Sequence, residues 1–135
     1  VLVVNPRSNI WFTGRMANVV KALEHGVKIA LGTDNAGIFH PDVWIEAHVL
    51  ENYLKINPKT ILEMLFVNGY HAVGEKPCFI KEGGKAYVMI VDLGLANERS
   101  SNIYLSLINR LPWSRSRVII KHDKVFKVTT SLSTI

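Results

Sequence analysis

Apolar and polar positions alternate in two regimes along this chain. Residues 1–4, Val-Leu-Val-Val, form an unbroken apolar run, the pattern of a parallel strand buried on both faces. A polar loop is expected at 5–9, where Pro6 disfavours helix, and Trp11, Phe12 and Gly14 continue it. Met16, Val19, Val20 and Leu23 recur at i, i+3, i+4 and i+7, predicting an amphipathic helix over 16–25 that Gly26 ends. A second short apolar strand is predicted over 27–31. Residues 1–31 thus read strand–loop–helix–strand, a βαβ unit with parallel strands.

Pro41 and Asp42 mark the next helix start, and Val43, Ala47, Leu50 and Leu54 share one face of a helix over 43–54. Asn57 suits an N-cap and Pro58 the first helical position of a helix over 58–72, with Gly74 as terminator. The pattern changes near residue 75, where Glu75-Lys76-Pro77 breaks the chain. Glu82-Gly83-Gly84-Lys85 reads as a turn and 87–91 as a strand of β-formers. A helix is expected over 102–111, with Ile103, Leu107 and Ile108 facing inward. Residues 118–121 and 124–128 read as a hairpin around His122-Asp123. The boundary near 75 separates an α/β part, 1–74, from a mostly β part, 75–135.

Composition narrows the function classes. The 135 residues are 48% hydrophobic and 20% charged, a globular balance able to form a core. The one cysteine excludes a disulfide framework and a four-thiolate zinc site. No apolar run approaches the ~18 residues of a membrane span, and no cationic segment leads into an apolar h-region. The expectation is a cytoplasmic chain with no membrane partner. The net charge of +5 invites a nucleic-acid reading. However, the longest basic cluster, 110–117, holds only Arg110, Arg115 and Arg117, so nucleic acid is not the expected partner. The chain opens without Met, inside an apolar strand that needs neighbours. It is therefore expected to be part of something larger.

Asp34 is the sharpest candidate for chemistry. It follows the second strand in a Gly-Thr-Asp-Asn sequence, and ligands in α/β folds bind beyond the carboxyl ends of strands. A carboxylate there can bind a metal, or accept a proton from water and return it to a leaving group. Its ordinary alternative is a turn or helix N-cap residue. Arg7 and Asn9, in the loop after the first strand, would sit at the same mouth and could bind substrate. The alternative there is a loop whose Asn and Ser satisfy their own backbone. None of the five histidines makes a metal motif such as H-x-H or H-E-x-x-H. His40 could approach the Asp34 mouth as a substrate-binding residue. Cys78 reads as a small packing residue, and Glu46 is expected on a solvated helix face.

These residues resemble the amidohydrolase superfamily, specifically its cytosine-deaminase and chlorohydrolase-like branch. Asn-Pro-Arg-Ser-Asn at 5–9 looks like the loop after barrel strand seven. "HGVKIALGTDNAG" at 25–37 resembles the eighth strand and its Gly-Thr-Asp motif. The segment 57–74 is similar to the helix after the barrel, 80–93 to the re-entry into a small β-domain, and 108–128 to its terminal hairpin.

The resemblance implies a metal-dependent hydrolase of C–N or C–halogen bonds. Its expected fold class is α/β. The first 74 residues would be the last two βα units of a TIM (β/α)8 barrel, and 75–135 the C-terminal part of a small β-sandwich domain. Asp34 matches the metal-ligating, proton-shuttling aspartate. Asn9 and Arg7 match positions bordering the substrate pocket. The implied cofactor is a divalent metal, zinc or iron, and the implied substrate an amino- or halo-substituted heterocycle. The family's His-x-His pair is absent from these 135 residues, and a barrel needs ~200–250 residues. The isolated chain is therefore expected to be inactive. It is expected to form a homo-oligomer or to pair with a missing N-terminal part. The alternative reading is a non-catalytic interaction or oligomerisation domain, because apolar strand edges associate.

Overall fold

The computed structural model describes residues 1–92, 101–114 and 116–129. Arg115 of the basic cluster and Leu93, at the end of the 80–93 block, lie outside them. The chain divides into two compact units, Val1–Pro77 and Cys78–Ile135. The class is α/β, with two small sheets, neither closed on itself. No helix among the described residues is long and apolar enough to cross a membrane.

In the first unit, β1 (Leu2–Val4) pairs in parallel with β2 (Ile29–Leu31), with Leu2 opposite Ile29 and Val4 opposite Leu31. The expected βαβ order holds, but it contains an additional helix. Residues 5–9 are not a loop: α1 runs Pro6–Thr13. Pro6 occupies its first position, where a missing N–H costs nothing and the fixed φ already suits a helix. The restriction that proline imposes falls instead on Asn5, whose φ and ψ of −120° and 84° lie outside the helical region. Gly14 ends α1 at φ 65°, its N–H donating to the Ile10 carbonyl at 2.9 Å.

The predicted 16–25 helix is shorter, α2 at Val19–Glu24, because Asn18 caps it by accepting from the Lys21 N–H. Helix α3 spans Val43–Leu54, as the apolar spacing predicts, with Asp42 accepting from the Trp44 N–H. Asn57 caps α4 (Pro58–Glu63) in the same way, with Pro58 at its start. The helix continues through a π turn, Met64–Asn68, into α5 (Gly69–Ala72).

The core of this unit gathers Val4, Val19, Ile29, Ala30, Trp44, Ala47, Leu50, Ile61 and Met64. All three β2 residues are buried. The expected burial of β1 holds only at Val4, since Val1, Leu2 and Val3 are 56, 46 and 48% exposed. The π turn packs on β2, and β1's strand partner among the described residues is β2 alone. The side-chain amide of Asn68, in the π turn, donates to the Ile29 carbonyl.

The second unit holds an antiparallel sheet in the order β3 (Tyr87–Val91), β4 (Ser116–Lys121), β5 (Lys124–Thr129). The expected hairpin turns at His122-Asp123, with His122 at φ 57°. The His122 ring lies 2.8 Å from the hydroxyl of Tyr87, on the strand that pairs with β4. Helix α6 (Ile103–Arg110) is capped by Asn102 and buries Ile108, but Ile103, expected to face inward, is 52% exposed. It sits at the first position of the helix, beside the cap.

Candidate functional site

Both strands of the first unit deliver polar residues to their carboxyl ends. Asn5 leaves β1, and its side-chain oxygen lies against Gly32, which follows β2. A Cβ at residue 32 would stand 2.5 Å from Asn5 Oδ1 and 3.0 Å from Val3 Cγ1. Glycine is therefore what lets the two strand exits approach. Two residues on, Asp34 adopts φ 58°, a left-handed conformation that a non-glycine residue seldom takes.

The Ser8 hydroxyl, on the first turn of α1, donates to Asp34 Oδ2 at 2.6 Å. Ser8 is buried and Asp34 is exposed. One oxygen of the Asp34 carboxylate is thus pinned from the neighbouring strand's helix. The exposed carboxylate retains a second oxygen for a ligand.

Arg7 and Glu46 form the other half of the site. Arg7 Nε donates to Glu46 Oε1 at 2.7 Å, and the Arg7 backbone N–H donates to Oε2 at 2.9 Å. Arg7 Nη2 donates to the His40 carbonyl at 2.7 Å. The guanidinium carbon sits 5.0 Å from the Phe39 ring centroid, a cation–π distance. Trp11, on α1, meets Phe39 edge-on at 6.1 Å. Arg7 therefore ties α1, α3 and the end of the 34–40 loop together.

The expectation for Glu46 is corrected. It is fully buried, not on a solvated face. The signal was in the spacing: position 46 lies three after Val43 and four before Leu50, within the stripe that predicts α3. Ser8 is a site residue that the sequence reading did not single out.

Of the sequence candidates, Asp34, Arg7 and His40 come together around α1. The part of His40 engaged by Arg7 is its carbonyl. Asn9, on α1, has a side-chain oxygen that is buried and has no hydrogen-bond partner among the described residues. Among the described residues, no cluster of three or more His, Cys, Asp or Glu side chains could hold a metal ion. Asp34 fits one position of a divalent-metal donor set. A catalytic zinc takes three protein ligands, and the described residues do not complete such a set.

No family model matches the chain, and no solved structure matches it. Curated relatives do. A 5-methylthioadenosine/S-adenosylhomocysteine deaminase of Thermotoga maritima is 32% identical over 98 residues, covering 67% of this chain and 24% of that protein. A 5'-deoxyadenosine deaminase of Methanosarcina mazei is 37% identical over 98 residues, covering 66% and 23%. A 5-methylthioadenosine/S-adenosylhomocysteine deaminase of Dictyoglomus thermophilum is 35% identical over 99 residues, covering 66% and 23%. The chain thus spans about a quarter of the length of the curated relatives it matches, and it is similar over that span to deaminases.

Proposed function

We propose that this chain is the C-terminal part of a metal-dependent amidohydrolase that removes the amino group of an adenosine-like nucleoside. Residues 1–74 supply the last two βα units of its barrel, and 75–135 supply part of its small β-domain. The observation that carries the reading is the Ser8–Asp34 hydrogen bond, which joins the carboxyl ends of two parallel strands at a carboxylate. Ligands of barrel enzymes meet that end of the strands. The names of the relatives favour deamination over dehalogenation.

In this reading Asp34 is one ligand of zinc or iron. When bound, the metal supplies a more acidic water. Asp34 accepts a proton from the attacking water at the oxygen that Ser8 does not engage, and returns it to the departing nitrogen, which leaves as ammonia. Arg7 fixes the loop that borders the mouth through the His40 carbonyl. Asn9 presents its buried acceptor oxygen to a donor on the substrate. The remaining metal ligands come from residues beyond these 135.

The test is a chimaera in which this chain replaces the matching quarter of the Thermotoga maritima deaminase. Ammonia release from 5'-methylthioadenosine, lost in Asp34→Asn, is the expected result. A folded, metal-loaded chimaera that releases no ammonia overturns the reading.

A second reading rests on β1. Its Leu2 and Val3 are half exposed, and among the described residues its strand partner is β2 alone. This favours association through the sheet, either with a further strand-bearing chain or with a second copy. Sedimentation equilibrium tests it, and a monomer at all concentrations argues against it.

A further inference from the structure

We infer that Glu46 is a positioning residue for Asp34, acting through the first turn of α1 and the Ser8 hydroxyl. This rests on the reading of Asp34 as the reacting carboxylate. Glu46 does not touch Asp34. What it holds is the start of the helix that does.

The first amides of a helix have no partner within it. Asn5, at the N-cap of α1, makes no side-chain capping bond. The Arg7 N–H is instead taken by Glu46 Oε2 at 2.9 Å, from a residue 39 positions away. A carboxylate at this end also matches the helix dipole. The same carboxylate takes Arg7 Nε at 2.7 Å, and the fork's Nη2 reaches the His40 carbonyl. Glu46 is 0% exposed, so this geometry has little room to vary.

Ser8 follows Arg7 directly and is itself buried, with its hydroxyl on Asp34 Oδ2 at 2.6 Å. Both ends of the 34–40 loop are therefore referred to α1: Asp34 through Ser8, and His40 through Arg7. Glu46 sets where α1 begins. Loss of its charge frees the Arg7 amide and guanidinium together and lets the first turn move. Asp34 then loses its fixed orientation, although no side chain proposed to touch the substrate has been removed.

Two measurements test this. The first uses the full chain alone, without metal or substrate, and follows the Asp34 side-chain carboxyl carbon by NMR. Glu46→Gln should move that resonance in the same direction as Ser8→Ala. The second uses the chimaera described above. Glu46→Gln should lower kcat at least tenfold while KM changes less than threefold. The double variant Glu46→Gln, Ser8→Ala should be no slower than the slower single variant, because both break one chain of contacts.

Losses that multiply in the double variant, or an Asp34 resonance unmoved by Glu46→Gln, overturn the inference. If Glu46→Gln does not fold, Arg7→Lys probes the same link with its charge kept and should give the same resonance shift and kcat loss. An inactive chimaera with a moved resonance leaves the positioning intact and overturns only the deaminase reading.

Discussion

The side-chain amide of Asn68 donates to the backbone carbonyl of Ile29 at 2.8 Å, on the side of β2 that faces away from β1. The Leu2 N–H takes the Lys28 carbonyl, so the next carbonyl along β2 points the other way. Asn68 satisfies it in place of a strand. Its helix widens locally to do so, with the Gly69 N–H reaching back to the Met64 carbonyl. Asn68→Leu keeps the branched outline of the side chain and leaves a buried carbonyl without this partner. It should destabilise the first unit by about 1–3 kcal/mol in urea titration. No change would mean that this hydrogen bond contributes nothing net to the stability of the unit.

Two ion pairs made by α3, Arg7–Glu46 and Lys55–Glu51, should separate cleanly in stability. Arg7→Met leaves the fully buried Glu46 carboxylate unpaired, which typically costs about 3–5 kcal/mol. Lys55→Met removes a contact of 3.9 Å from a side chain 70% exposed. Such pairs are worth roughly 0.2–1 kcal/mol. Equal losses in thermal unfolding would contradict this ordering.

Lys55 is also the residue that ends α3 in the left-handed region, at φ 53°, with its N–H on the Glu51 carbonyl at 2.7 Å. A side chain there costs energy that glycine avoids. Lys55→Gly should therefore stabilise the chain slightly, by about 0.5–1 kcal/mol, even though it removes an ion pair. A fall in Tm would show that the Lys55 side chain contributes more than its conformation costs.

Asp34 offers a sharper contrast between stability and function. Its φ of 58° is strained for aspartate and free for glycine. Asp34→Gly should hold or raise the Tm of the chain while abolishing ammonia release in the chimaera. Loss of both together would mean that the Ser8 bond contributes more to the fold than the backbone conformation costs.

Gly32→Ala tests the approach of the strand exits. The added methyl would meet Asn5 Oδ1 and Val3 Cγ1. Overpacking of this kind typically costs about 1–3 kcal/mol. A variant as stable as the parent would show that Asn5 can turn away freely.

The sequence made the local decisions legible. Asp42, Asn57 and Asn102 read as helix starts because capping is a matter of one side chain and the next few amides. The parallel pairing of the first two strands followed from an apolar run and the crossover it needs. Helix α1 escaped because proline was weighed as a breaker, and because its start is secured by Glu46 from a distant helix. Nothing within residues 5–9 encodes that partner. The π turn has the same origin, since Asn68 answers to Ile29, not to its own neighbours. At the site, Asp34 and Arg7 could be picked out by type and place. The buried role of Glu46 required noticing that the apolar stripe of α3 runs through a charged residue.

The two sheets also differ in the order in which they can form. In the hairpin, β4 and β5 close across His122-Asp123, and Lys121 meets Lys124 at once. Hairpins of this kind assemble in about 1–10 μs. The ladder of β1 and β2 must bring Leu2 to Ile29 across two helices, and no local turn can hold it while it waits. Entropy is lost before any of its contacts are gained. The carboxylate of Asp34 meets Ser8 only after that closure, so the residue proposed to react is among the last of its unit to reach its native place.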